Sequence, residues 1–195
     1  MLNKMPGSYE DKFAQLRLLY TYQMAHPGKK LTFMGMEIGT FIEWRFYESL
    51  EWFLLSYPKH DEFHRFVRSL NQFYASNPAL YERDDGWDGF EWSVMDDREN
   101  SVVAFLRKSQ DETLLCAFNF TPVYRSGYSL PVPEEGRYEL AFSTGELPAE
   151  QSWSLTAEPL ENGRLPFGVK VDLFPFCGMY FKLTKNNDGK DVTQG

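Results

Sequence analysis

The sequence predicts a chain of two parts, an α/β segment shaped like the end of a (β/α) barrel and, after it, an antiparallel β-sandwich of about eight strands. Three observations carry this. Leu31-Thr32-Phe33-Met34-Gly35 is a short apolar run without alternation, as in a strand buried on both faces. It lies between two stretches of helical periodicity and runs into a long aromatic connection, the helix, strand, loop, helix order of a barrel. From Tyr81 onward the pattern changes to short strands separated by turn residues. The boundaries read as residues 1–84 for the barrel end, 85–185 for the sandwich and 186–195 for a flexible tail with little to bury.

In chain order, Ser8 followed by Asp11 has the spacing of a capping box. Phe13, Leu16, Tyr20 and Met24 then recur at helical spacing until His26-Pro27-Gly28, predicting a helix over 9–25. Leu18, Leu19 and Tyr22 make that helix apolar around more than half its circumference, so it needs covering. The strand follows. Residues 38–60 carry Phe41, Trp44, Phe46, Tyr47, Trp52 and Phe53 among charged residues, a composition too aromatic for disorder and typical of a functional loop. Phe63, Phe66, Val67, Leu70, Phe73 and Tyr74 then fall on one helical stripe and predict a helix over 61–76, stopped by Asn77-Pro78.

Strands are expected near 89–95, 101–108, 113–120, 127–132, 137–143, 152–157, 164–171 and 178–184. Leu114, Cys116 and Phe118 alternate with Leu115, Ala117 and Asn119. Asn162-Gly163 is a strong hairpin signal, and Glu135-Gly136 and Ser126-Gly127 are weaker ones. A single barrel strand has no ladder partners, so the first 80 residues are expected to pack loosely on the sandwich or to associate with another chain.

The net charge of -8, without a Lys/Arg cluster, argues against nucleic acid or an anionic membrane as partner. A 17% aromatic content suits packing against sugar faces, although most such rings fill cores. Cys116 and Cys177 lack metal-ligand spacing, which leaves reduced thiols as the default, and no cofactor is indicated. The amino terminus has no basic region followed by an apolar stretch, and no apolar run reaches membrane-spanning length, so the expected compartment is the cytoplasm.

Glycoside chemistry needs two facing carboxylates. Glu37, just past the strand end, is the best-placed acid, with a loop-tethering carboxylate as the alternative, and no partner for it can be placed. His60 and His64 have i, i+4 spacing but no third ligand, and read as a solvated helix end. Asp84, Asp85 and Asp88, and then Asp96, Asp97 and Glu99, lack the register of a calcium loop and read as turn residues.

Beyond this chemistry lies a resemblance. Lys4-Met5-Pro6-Gly7, Lys12-Phe13-Ala14-Gln15-Leu16-Arg17, Ala25-His26-Pro27-Gly28-Lys29-Lys30-Leu31 and Phe33-Met34-Gly35 open it; Glu43-Trp44, Ser49-Leu50-Glu51-Trp52, Pro78-Ala79-Leu80, Glu99-Asn100-Ser101-Val102 and Asn119-Phe120-Thr121-Pro122-Val123 continue it in order. Together they resemble the carboxy-terminal third of the bacterial glycogen (1,4-α-glucan) branching enzymes, over about residues 4–132. The resemblance implies an α-amylase superfamily (β/α)8 barrel followed by a sandwich. It also implies a retaining transglycosylation, in which an α-1,4-glucan is cleaved and passed to a 6-hydroxyl. The family's catalytic carboxylates lie upstream of the Lys-Met-Pro-Gly segment, so none maps onto this chain.

What the resemblance carries over is the last barrel strand and the loop that borders the glucan cleft, with Glu37, Glu43, Trp44, Arg45 and Trp52 as candidate substrate contacts. The implied partners are α-glucan and the missing amino-terminal part of the barrel. The chain departs from the family at Met36, at Ile38-Gly39-Thr40 and at the bulky Arg45-Phe46-Tyr47-Glu48, so transferred chain length and acceptor preference do not carry over. Two other readings compete: a non-catalytic glucan-binding or structural module, and a fragment of another α-amylase superfamily hydrolase.

Overall fold

The computed structural model describes residues 2–161 and 163–185. Helix α1 spans Tyr9–Ala25. Its start is the capping box expected from the sequence: Asp11 N donates to Ser8 Oγ at 3.1 Å and Ser8 N donates to Asp11 Oδ2 at 2.9 Å. Helix α2 spans Pro58–Ser76, with Pro58 in the first turn, where its missing N–H costs nothing.

Nine strands follow among the described residues, where about eight were expected: β1 Phe90–Asp97, β2 Val102–Lys108, β3 Thr113–Asn119, β4 Arg125–Val132, β5 Arg137–Ser143, β6 Ser154–Thr156, β7 Glu158–Pro159, β8 Phe167–Leu173 and β9 Cys177–Thr184. The addition is the two-residue β7. The strands form an antiparallel six-stranded sheet, β1-β2-β3-β9-β5-β6, and a three-stranded sheet, β4-β8-β7.

The alternation in β3 sorts side chains between two cores. Leu115 and Ala117 face the small sheet, in a core with Leu130, Val169, Val171, Met179 and Phe181. Leu114, Cys116 and Phe118 face the helices, in a core with Phe13, Leu16, Tyr20, Phe63, Leu70, Phe105 and Tyr180. The large sheet is therefore covered on both faces, by a second sheet and by a helical layer. The all-round apolar surface of α1 has a matching cause, because the helix packs on α2 and on β3 and β9 at once. The loose packing expected of the first 80 residues does not apply to these helices. Both cysteines are buried and free.

Several expectations are corrected. Leu31–Gly35 is not a strand here; it is irregular and runs into 3-10 turn Met36–Ile38. A strand needs a neighbouring ladder, and none lies beside this segment among the described residues. His60 is buried, not solvated, and its Nδ1 lies 2.8 Å from the Ile38 carbonyl. Glu135-Gly136 joins β4 of one sheet to β5 of the other and is not a hairpin. Ser126-Gly127 lies within β4, where Gly127 at φ 57° accompanies a register shift opposite β8. Asn162 of the Asn162-Gly163 signal and the 186–195 tail lie outside the described residues.

Candidate functional site

The five candidate contacts fall on the connection between α1 and α2, and two glycines set its course. Gly35 at φ 77° and Gly39 at φ 68° bracket the turn that carries Glu37. Both adopt the left-handed region that side chains disfavour, and a Cβ on Gly39 would come within 3.2 Å of the Phe13 ring. Glu37 is half-buried and lines a cleft of about 750 Å³ between this segment and α2. Its carboxylate adds to the effect of burial in raising the Tyr20 hydroxyl pKa well above the ordinary value.

Glu43 and Trp44 border a second depression of about 380 Å³, which also includes Lys4, Phe33 and Met34. Met34 lines both clefts. Trp44 stands edge-to-face against Phe33 at 5.2 Å and remains partly exposed. Lys4 Nζ lies 2.8 Å from Glu43 Oε1; this hydrogen bond and charge hold the Glu43 carboxyl below the usual carboxylate range. Such a carboxylate accepts hydroxyl hydrogen bonds and does not serve as a proton donor near neutrality. Arg45 pairs with Glu48 at 3.2 Å and shares a small crevice with Glu43 and Trp44.

The structure thus brings Glu43, Trp44 and Arg45 together and places Glu37 in the adjoining cleft. Trp52 opens 3-10 turn Trp52–Ser56, is exposed, and lines neither cleft. Phe46 and Tyr47 add exposed rings to the loop. His64, Arg68, Asn71 and Ala75 complete the wall of the larger cleft and were absent from the candidate set. Their signal was present, since positions 64, 68, 71 and 75 form one helical stripe flanking the apolar one. Of the acids read as turn residues, Asp97 does make a turn contact, its Oδ1 accepting from Asn100 N at 3.1 Å, whereas Asp84 pairs with the buried Arg107, 23 residues along the chain.

The model of the alpha amylase C-terminal all-beta domain matches residues 92–173. Over nearly its whole length the chain is 41% identical to a 1,4-alpha-glucan branching enzyme GlgB of Protochlamydia amoebophila, across 187 residues that make up 94% of this chain and 26% of that protein. The chain matches the carboxy-terminal portion of bacterial 1,4-α-glucan branching enzymes. The branching enzymes of Aquifex aeolicus (42% identity over 186 residues, 94% of this chain and 28% of that one) and Halothermothrix orenii (39% over 198 residues, 93% and 30%) agree. The chain therefore spans between about a quarter and a third of the length of these branching enzymes. Two crystal structures of AmyP, one with maltose and one with maltotriose, share the fold at TM-scores of 0.63 and 0.62 and 15% identity; they cover 94% and 92% of this chain, and 37% of the AmyP chain in each case.

Proposed function

We propose that this chain is the carboxy-terminal part of a glucan branching enzyme, in which residues 1–84 complete a (β/α)8 barrel, residues 85–185 form the carboxy-terminal sandwich, and the loop over 37–52 contacts α-glucan. The parent activity is a retaining transglycosylation that breaks an α-1,4 bond and makes an α-1,6 branch in the cytoplasm, as part of glycogen synthesis. The catalytic carboxylates belong to the part of the parent upstream of this chain. Here Glu37, Glu43, Trp44, Arg45 and Trp52 bind and orient chains. The observation that carries this reading is the exposed Trp44 ring beside an ionised Glu43, with further exposed rings at Phe46, Tyr47 and Trp52 on the same connection, on a chain that matches branching enzymes over 94% of its length. Flat apolar faces stack on sugar rings while the charged groups take the hydroxyls.

Two observations test it. The isolated chain should leave the absorbance of iodine-stained amylose unchanged, and a fall would show chemistry in residues assigned to binding. The reading frame immediately upstream should encode a barrel carrying the family's His-Asp motif; a different domain there would remove the branching-enzyme reading. A second reading, a glucan-binding module without chemistry, draws support from the sugar complexes of AmyP, which shares this fold. It predicts the same glucan contacts without an upstream barrel.

A further inference from the structure

We infer that the groove between β6 and β8, lined by no residue of the 37–52 loop, is a separate carbohydrate site on the sandwich that takes a short stretch of α-glucan. The choice of α-glucan among neutral sugars rests on the reading just given. The groove opens where the two sheets part. Strand β7 pairs with β8 only at Phe167 and Gly168, and β6 pairs instead with β5 of the other sheet. Beyond Gly168, Lys170 and Asp172 therefore face β6 across a space of about 420 Å³, which no strand fills among the described residues. The main chain of β6 is open on that side. Leu140 N donates to Trp153 O at 2.9 Å and Ala157 N to Gly136 O at 3.0 Å, so the alternate residues Ser154 and Thr156 turn their N–H and C=O groups away from β5. Their side chains are exposed as well.

Three features fit a neutral sugar. Trp153 lines the groove as a half-buried ring that is already held in place: it packs against the core between the sheets and against Phe174 at 6.0 Å, and its Nε1 donates to Pro148 O at 3.2 Å. A fixed indole stacks on a sugar ring at little ordering cost. Gln151 and Asp172 form a fixed polar pair: Asp172 Oδ2 accepts from Gln151 Nε2 at 2.9 Å while Oδ1 accepts from Gly127 N at 2.7 Å. That leaves Gln151 Oε1 and further carboxylate lone pairs to accept from hydroxyls. The charges of the groove are of both signs, Lys170 against Asp172 and Glu158, so neither an anion nor a cation meets a surface of one sign. A neutral, hydroxyl-rich chain meets donors and acceptors alike. Glycogen presents many chains, so groove and loop act on one polymer, each weak contact raising the effective concentration of the other. Retardation by glycogen therefore draws on both.

The test is titration of the isotope-labelled chain with maltoheptaose, followed by NMR. The signals of the Trp153 indole N–H, the Gln151 side-chain amide and the main-chain amides of Ser154, Thr156 and Lys170 should move and saturate, and should do so equally in Trp44→Ala. Trp153→Ala and Ser154→Arg should each weaken binding at the groove at least about tenfold. Ser154→Arg, at an exposed position outside the core, should keep the wild-type melting temperature, so its loss of binding is read on a folded chain. Groove signals that stay still, or that saturate in Ser154→Arg at the wild-type sugar concentration, would overturn the site. Saturation with cellohexaose, a β-1,4-glucan, and not with maltoheptaose would overturn α-glucan as the occupant. Movement confined to residues 37–52 sinks the groove alone, whereas movement confined to the groove sinks the loop reading alone.

Discussion

Arg107 Nη1 donates to the carbonyl of Ala25 at 2.6 Å, joining the second strand of the sandwich to the last turn of α1 across 82 residues of sequence. Its Nε donates to Gly89 O at 3.2 Å and Nη2 pairs with Asp84, so a fully buried guanidinium holds three segments together. A cation at a helix carboxyl end also meets the negative end of the helix dipole. Arg107→Ala leaves Asp84 and two carbonyls without their partner and should cost about 3 to 5 kcal/mol of stability in urea unfolding. Arg107→Lys should rescue little, since an ammonium cannot reproduce the three-way fork. Recovery of most of the stability by lysine would show that charge alone matters there.

Glu112 makes a second tie between the helical layer and the large sheet. Its Oε2 accepts from Ala79 N at 3.0 Å and its Oε1 from Lys182 Nζ at 2.6 Å, with the side chain almost wholly buried. Glu112→Ala should destabilise by about 1 to 3 kcal/mol, because the buried Ala79 N–H loses its acceptor. Glu112→Gln keeps that acceptor and should cost less; equal costs in thermal unfolding would contradict this assignment.

Stability should also fall in acid through two carboxylates of the sandwich. Tyr128 OH and Asn100 hold the Asp97 carboxyl below its usual range, and Gly127 N at 2.7 Å, with Tyr124, Gln151 and Ser126, does the same for Asp172. A depressed folded-state pKa gives stability that is fully present above the unfolded value near about 4 and lost as pH falls through the folded one. Asp97→Asn and Asp172→Asn should therefore lower stability at pH 6 and flatten its decline below pH 4. An unchanged acid limb in both variants would remove these groups as its cause.

Gly39→Ala should loosen the turn that carries Glu37. The substitution demands a positive φ of a side-chain residue and presses a Cβ onto Phe13. A loss of about 1 kcal/mol or more is expected in urea unfolding. No loss would mean that the turn adjusts without strain.

Much of the architecture was legible because local rules set it. Ser8 and Asp11 announced the start of α1, and the alternation from Leu114 to Phe118 correctly divided β3 between two faces. The misreadings share a cause, since each depended on a partner far along the chain or outside it. His60 is buried because Ile38 offers a carbonyl from 22 residues away. Glu135-Gly136 has hairpin chemistry, yet β4 finds its pairing partner in β8. Leu31–Gly35 has the composition of a strand without a ladder to join. In the site, Trp44 and Glu43 were visible as an aromatic and acidic loop, while His64, noted only for its spacing from His60 and read as solvated, and Asn71 line the cleft wall on α2.

The most direct test of the account is migration of the isolated chain in native gels containing glycogen. The account predicts retardation that grows with glycogen concentration and is largely lost in Trp44→Ala and in Trp52→Ala, with both variants keeping the wild-type melting temperature. Migration of the wild-type chain that stays unchanged at every glycogen concentration, or retardation that survives both substitutions, would contradict the assignment of the 37–52 loop to glucan.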